Sequence, residues 1–280
     1  MSEIIALKVV TLADGIEIVR ADNDEPILSQ HAAEGDRPYL HPIHAPNGAG
    51  VLTENAPGHH PWQHGLYVGL NDVNGVGFWS EGLHPKRPTG DGTFSSRIAG
   101  EPEVADGRVT WVVETDYLDE AGEVLLDDSQ FWTLAAASDR LELDMDWTLH
   151  AHPDLVFGEY EYGGLFLRMP YRSETGGSAI DSEGQSGTGE RARWVAVTLP
   201  LPDTGREATA VLLDHPDNPD SPVPWRIDNE LGIGPSPSAA GPWELPADAR
   251  RRYRYRLVVF GEPADAAAAD EAWHRYAEEA

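Results

Sequence analysis

Five histidines, His41, His44, His59, His60 and His64, fall between Pro38 and Trp79. Tyr39, Trp62, Tyr67 and Trp79 share that stretch with the polar residues Glu54, Asn55, Asn71, Asp72 and Asn74. Imidazole titrates nearest neutrality and is the commonest metal ligand. A loop-rich segment of this mixture suits a pocket wall for acid–base chemistry, for a metal, or for a sugar ring that needs aromatic faces and hydrogen-bonding edges. His60 and His64 are four apart, but Pro61 between them argues against a long helix. Neutral imidazoles bind Zn, Mn or Fe, usually beside a carboxylate. His59, His60 and His64 are the candidate ligands, although no HExxH or comparable signature accompanies them. The plainer alternative is that some of these rings hydrogen-bond backbone in a crowded loop.

Two further segments carry chemistry. In GEYEYGGLFLRMP, residues 158–170, alternation puts Glu159 and Glu161 on one strand face and Tyr160 and Tyr162 on the other. Gly163-Gly164 permits a close backbone approach or a bulge. Arg168 then offers a clamp for a carboxylate or hydroxyl. A glutamate among aromatics can have its pKa raised by desolvation, which suits general acid–base work; an edge strand with solvated carboxylates is the alternative. In LLDHPDNPDSPVPWRIDNELG, residues 212–232, Asp214, His215, Asn218, Trp225 and Arg226 sit in a loop stiffened by Pro216, Pro219, Pro222 and Pro224. Rigid polar loops at strand ends often carry sites, and a structural crossover of self-satisfied turns is equally compatible. No GxSxG elbow, Walker loop or dinucleotide fingerprint is present. Asp72-Val73-Asn74-Gly75 is incomplete as a calcium loop.

The elements that must position these residues read as strands. In Arg140 to His150, Leu141, Leu143, Met145, Trp147 and Leu149 point one way while Glu142, Asp144, Asp146 and Thr148 point the other. Such period-two patterning marks a half-buried strand. Further strands are expected at Ile4 to Val10, Ile16 to Arg20, Arg108 to Thr115, Glu123 to Leu134, Gly164 to Arg168, Ala192 to Thr198, Ala208 to Asp214 and Tyr253 to Gly261. One helix is expected, over 264–279, with Ala266, Ala269, Trp273 and Tyr276 near the helical period and Pro263 at its entry. With Gly 28 and Pro 22 in 280 residues, many short strands and turns are favoured, and the whole of 1–280 is expected to form one all-β domain, a large antiparallel β-sandwich with a short C-terminal helix.

Composition excludes several function classes. The formal net charge is -28, and no basic stripe with interleaved aromatics occurs, so neither nucleic acid nor an anionic membrane surface is an expected partner. There are no cysteines, which excludes disulfides, thiolate metal sites and cysteine nucleophiles. No apolar stretch approaches the ~20 residues of a membrane span. The start, MSEIIALKVVTLADG, lacks the pattern of a signal peptide. A soluble, cytoplasmic protein is expected.

These motifs together resemble the soluble bacterial PmoA-like family, whose name derives from methane oxygenase. They are Arg37-Pro38-Tyr39 with His41-Pro42, His60-Pro61 leading to Asp72-Val73-Asn74-Gly75 and Phe78-Trp79, Glu161 with Gly163-Gly164 and Arg168, and Asp214-His215-Pro216 with Asn218-Pro219. The resemblance spans roughly residues 37–260. Where the family continues His-Pro with two more histidines and Arg, this chain has Trp62, Gln63 and His64. The resemblance implies a β-sandwich like those of aldose epimerases, a galactose-mutarotase-like supersandwich, and a place in carbohydrate metabolism rather than methane oxidation, which is a membrane process.

The expectation is therefore an enzyme acting on a sugar, keto-sugar or glycoside by proton transfer, of epimerase, lyase or hydrolase type. His60, His64, Glu161 and His215 are its catalytic candidates. His41, Trp62, Asn71, Asp72, Asn74, Trp79, Arg168, Asn218 and Trp225 are its substrate-binding candidates. No cofactor is required by any motif, and a divalent Mn, Zn or Fe is the one candidate. Two alternatives stand beside it: a non-catalytic carbohydrate-binding or accessory protein, and a histidine-ligated metal-dependent lyase or oxygenase. The expected partner is a small carbohydrate, and sandwich edges leave a homodimer open.

Overall fold

The computed structural model describes residues 3–84 and 90–279. Two large antiparallel sheets account for nearly all of its regular structure. The first runs, in spatial order, through Leu7–Leu12, Gly15–Arg20, Pro26–His31, Tyr39–Ala45, Leu66–Val73, Gly164–Leu167, Ile233–Pro235 and Trp225–Ile227. The second runs through Ser178–Asp181, Trp194–Pro200, Glu207–Asp214, Arg250–Phe260, Arg140–Ala151, Val124–Ala136, Arg108–Leu118 and Thr93–Ile98. The expected all-β sandwich with a short C-terminal helix is thus what the chain forms, and the expected strands are present with their ends moved by a few residues.

The long central strands follow the alternation. In Arg140–Ala151, Leu141, Leu143, Met145, Trp147 and Leu149 are buried, and the intervening residues are half-buried on the outer face. That face is laced across strands, with Asp144 on Arg256 and Asp146 on Arg252. The inner face meets Ile16, Ile18, Leu28, Leu66 and Val68 of the first sheet in one apolar cluster. Each large side chain buried there contributes roughly 1.5–3 kcal/mol.

The helix forms over Ala266–Ala277 and is capped by Asp265, whose side chain accepts from Ala268 N at 2.9 Å. Ala269, Ala272 and Tyr276 pack on Trp194, Ala196, Val211, Leu213 and Val258, covering the outside of the second sheet. Among the described residues no helix is long and apolar enough to cross a membrane.

One expectation is corrected. Residues 158–163 form no strand, so Glu159 and Glu161 do not share a strand face. The segment is a loop pinned by Gly158 N to Asp72 O at 2.9 Å and Tyr160 N to Ser238 O at 3.1 Å. Its course is set by Tyr162, whose ring lies 4.5 Å from that of Trp79. Burying this ring outweighs the alternation read from the sequence.

Candidate functional site

The segment after Glu54 leaves the first sheet as a loop closed at its base by Gly65 N on Glu54 O (2.9 Å) and Ala56 N on Gln63 O (2.7 Å). Within it two successive turns form, His60 N to Pro57 O at 2.8 Å and Gln63 N to His60 O at 3.0 Å. Pro61 thus sits in a turn rather than a helix, and the turns present His59, His60 and Trp62 to one side. The His59 and His60 rings meet at 4.8 Å, and His60 meets Trp62 edge-on at 5.3 Å.

Facing this loop is a tight turn from Asp228 to Gly232. Asp228 Oδ1 accepts from Glu230 N at 2.9 Å and Gly232 N at 2.8 Å, which fixes the direction of Glu230. Gly232 is required here, since a Cβ would fall 2.5 Å from Cζ of Phe166. Between loop and turn lies a cavity of about 220 Å³, walled by Trp62, Trp79, Tyr162 and Phe166 and edged by His60, Gln63, His84, Arg226, Asp228, Asn229 and Glu230. Gly69 makes room for one wall, because a Cβ there would meet Cε3 of Trp79 at 2.5 Å.

A charged cluster stands behind the rim. Arg168, on the residue after the strand Gly164–Leu167, is buried to 1% exposure. Its Nε and Nη2 donate to Glu54 Oε2 at 3.2 and 3.1 Å, and its Nη1 lies 2.5 Å from Glu230 Oε2. The same Glu230 oxygen is 2.8 Å from His59 Nε2. Burial alone would push the Glu230 carboxyl up, but hydrogen bonds from His59 and Arg168 hold it below its ordinary range. Burial, with the charges of His59 and Arg168, depresses His60 and favours its neutral form. Among the described residues, His60 Nδ1 is buried without a partner.

His59, His60 and Glu230 each offer a ligand atom within 4.8 Å of the others. The donor set suits a divalent metal, but the charge does not. Glu230 already neutralises Arg168, and a cation there would sit beside a buried guanidinium.

The other expected residues are placed as follows. His64 lies next to the loop base, with Nδ1 2.6 Å from Asn55 Oδ1, Nε2 3.3 Å from Glu81 Oε2, and its ring stacked on Tyr39 at 4.8 Å. Glu81 in turn meets buried Arg37 at 2.6 Å, and Arg37 donates to Trp79 O at 2.8 Å behind the cavity wall. His41 is half-buried on Thr53 Oγ1 at 2.9 Å, and burial drives its pKa down to about 4. Glu161 is 68% exposed at the outer rim, paired with Arg226 at 2.5 Å. Asn71 Nδ2 donates to Tyr162 O at 3.3 Å, Asp72 Oδ1 accepts from Gly75 N at 3.0 Å, and Asn74 bridges Asp154 O and Val156 N. These three hold the 152–162 segment against the first sheet.

His215, Asn218 and Trp225 lie in different surroundings from the cavity. His215 is buried against Tyr276 of the helix, with Nδ1 accepting from Asp217 N at 3.1 Å. Asn218 is committed to Asp214 and to the backbone of Arg254. Trp225 is a core residue donating to Ala192 O at 2.8 Å.

Glu230, with Asp228 and Phe166, was not singled out from the sequence, and Glu54 was noted only as a polar residue of the histidine-rich segment. A signal was present: Asp228, Asn229 and Glu230 close the same proline-rich motif that drew attention to Asp214 and His215.

A two-sheet antiparallel sandwich with a histidine, glutamate and arginine cluster beside an aromatic cavity is thus the class of protein. Residues 9–274 match a family of unknown function, DUF6807, and the chain belongs to it. No curated protein matches. Solved structures it is similar to include a galactose mutarotase related enzyme from Lactobacillus acidophilus, at TM-score 0.38 and 9% identity over 90% of this chain and 97% of that one. A galactose mutarotase-like protein from Clostridium acetobutylicum gives TM-score 0.41 and 9% identity over 91% and 98%. An alpha-galactosidase from Lactobacillus brevis gives 0.34 and 13%, covering 90% of this chain and 39% of that one. Likenesses this distant carry no argument about activity.

Proposed function

We propose that this chain is a carbohydrate-active enzyme that takes one sugar ring into the aromatic-walled cavity and moves a proton on it. The observation that carries this reading is that His60 and Glu230 edge a cavity faced by Trp62, Trp79, Tyr162 and Phe166, with His59 packed behind them against both. Aromatic faces suit the C–H faces of a sugar, and the amide, carboxylate and guanidinium edges suit its hydroxyls. At about 220 Å³ the cavity is smaller than the roughly 300 Å³ at which drug-sized pockets begin, so a single ring is the natural occupant. His60, which edges the cavity, is the base. The protonated His60 returns the proton to the sugar, and His59 holds Glu230 from outside the cavity. Arg168 keeps Glu230 ionised and fixes its direction. The resemblance of the sequence motifs to those of PmoA-like proteins supports the same metabolic setting.

The test is a panel of free aldohexoses and oxidised (keto) glycosides, followed by NMR for anomer exchange, for C–H exchange in heavy water and for cleavage. His60→Asn and Glu230→Gln are expected to lower kcat/KM on the responding sugar by about 10²–10⁴-fold, the first with an unchanged unfolding midpoint and the second with a lowered one, because it takes a carboxylate from buried Arg168. Saturable sugar binding without turnover would replace this reading with a binding protein. Turnover that survives both substitutions would remove the assignment of the residues.

A further inference from the structure

A second cluster of metal-binding side chains lies on the other sheet and plays no part in the cavity. The strand Arg140–Ala151 ends in His150-Ala151 and is followed at once by His152, and Asp127 of the strand Val124–Ala136 is the register partner of His150. Alternate residues of an extended chain face the same way, so both imidazoles and the carboxylate meet on the outer face. Asp127 Oδ1 is 2.8 Å from His150 Nδ1 and 2.8 Å from His152 Nε2. The two rings are 5.2 Å apart. All three ligand atoms lie within 4.8 Å of one another.

We propose that Asp127, His150 and His152 form a binding site for a first-row divalent transition metal such as Zn, Co or Ni. Two neutral imidazoles and one carboxylate are the donor set such ions select, whereas Ca and Mg favour oxygen ligands alone. The geometry is close to what the ion needs. With metal–ligand bonds near 2.1 Å, adjacent ligands of an octahedron stand about 3.0 Å apart, so the 2.8 Å contacts need to open only slightly. The three donors then occupy one face of the coordination sphere. His152 is 45% exposed, so the remaining positions open to solvent.

Charge separates this cluster from the one at the cavity. Among the described residues, the ion pairs of Asp127 are to His150 and His152 alone, whereas Glu230 is shared with a buried arginine. Arg250, the register partner of His150 on the strand beyond, is exposed and can turn into solvent. The net charge of -28 further concentrates cations at the surface. Cross-strand contacts fix the ligands before the ion arrives, because Asp127 and His150 are paired within a long central ladder of the sheet and His152 N donates to Leu125 O at 3.0 Å.

The experiment is titration of the untagged, chelator-treated protein with ZnCl2 by calorimetry and with CoCl2 by visible absorption. One strong equivalent is expected, with cobalt bands of a nitrogen and oxygen site. Loss of an outer-shell partner alone weakens metal sites about 10–100-fold. Asp127→Asn is therefore expected to weaken binding at least about tenfold, and His150→Asn with His152→Asn to abolish it. A control with His59→Asn and Glu230→Gln is expected to bind as the parent does. An isotherm unchanged in the His150, His152 double variant, or no binding by the parent, would overturn the proposal. Transfer of the loss to the His59, Glu230 control would place the metal at the cavity instead.

Discussion

The loop that carries His59 and His60 and the loop that carries Asp214 and His215 are built from the same residue types, yet they use them in opposite ways. In the second loop Asp214 and Asn218 close on the loop itself, and among the described residues of that loop only the buried Nε2 of His215 is left without a partner. Asp214 Oδ1 takes Asn218 Nδ2 at 2.7 Å, Asp214 Oδ2 takes Ser221 Oγ at 2.8 Å, and Asn218 Oδ1 takes Arg254 N at 2.6 Å. Asp214 and His215 are at most 1% exposed, and Asn218 is 5% exposed. In the first loop the groups are held from behind and left open in front. Arg168 is buried, but Glu230, which it holds, and His60 stand at the edge of a cavity. A histidine beside an aspartate is therefore no guide to chemistry by itself. What separates the loops is whether the hydrogen-bonding capacity is spent inside the protein or remains for a ligand.

Removing the support should have the largest effect. Arg168→Ala removes the buried guanidinium shared by the half-buried Glu54 and Glu230, leaving Glu54 to Arg172 and Glu230 to His59. Breaking a buried pair by removing one partner costs about 3–5 kcal/mol. Urea unfolding should show a loss of that order together with loss of sugar binding. A loss below about 1 kcal/mol would mean that the cluster behaves as a surface pair and that the contrast between the loops is false. The closed loop should respond differently. Asp214→Ala strands the donors of Asn218 and Ser221, at about 1–3 kcal/mol, while sugar affinity and turnover stay as they were.

The closed loop also has a pH signature. Burial raises Asp214 from 3.8 to about 6. A carboxyl raised in the folded state contributes stability that is complete below its unfolded pKa and is lost as pH rises through the folded one. Asp214 therefore weighs against the fold above about pH 6, by an amount on the order of 3 kcal/mol. Asp214→Asn keeps an acceptor and removes the titration. Its stability relative to the parent should thus rise between pH 4 and pH 7, roughly. A difference that stays flat over that window would show that the carboxyl is not raised.

The second sheet was legible in the sequence because its strands are long and half-buried. Strict alternation from Leu141 to Leu149 fixes both the strand and the face that is buried. The helix was legible for the same reason, through Ala269 and Tyr276. The first sheet was harder. Gly164–Leu167 is buried throughout and carries no alternation, and the loop before it follows the packing of Tyr162 on Trp79 across about eighty positions of chain. The site was legible by half. The histidine-rich loop announces itself, as do Trp62, Trp79 and Arg168. Glu230 reaches them from 170 residues further on only because Asp228 turns the chain there. Local pattern carries no record of which loop a strand order brings opposite. The pair Asp127 and His150 illustrates the same point, since their meeting is a matter of register.

The smallest effect should separate the two glutamates near the cavity. Glu161 was the carboxylate that the sequence favoured as partner to the histidines, and Glu230 is the one that meets His59. Glu161 is 68% exposed and pairs with Arg226, which is itself 23% exposed. Exposed pairs of this kind contribute about 0.2–1 kcal/mol, so Glu161→Gln should shift the unfolding midpoint little. Arg226 also lies over the Tyr162 ring, 5.1 Å from its centre. It keeps that contact when the carboxylate is gone, so the cavity edge should survive. Sugar binding is then expected to change by less than about fivefold, the factor that corresponds to 1 kcal/mol, whereas Glu230→Gln removes turnover. If Glu161→Gln instead lowers kcat by about 10² or more while KM is unchanged, the proton passes through the outer rim. The catalytic pair would then be His60 with Glu161, and the buried cluster around Arg168 would serve only to hold the histidine loop in place.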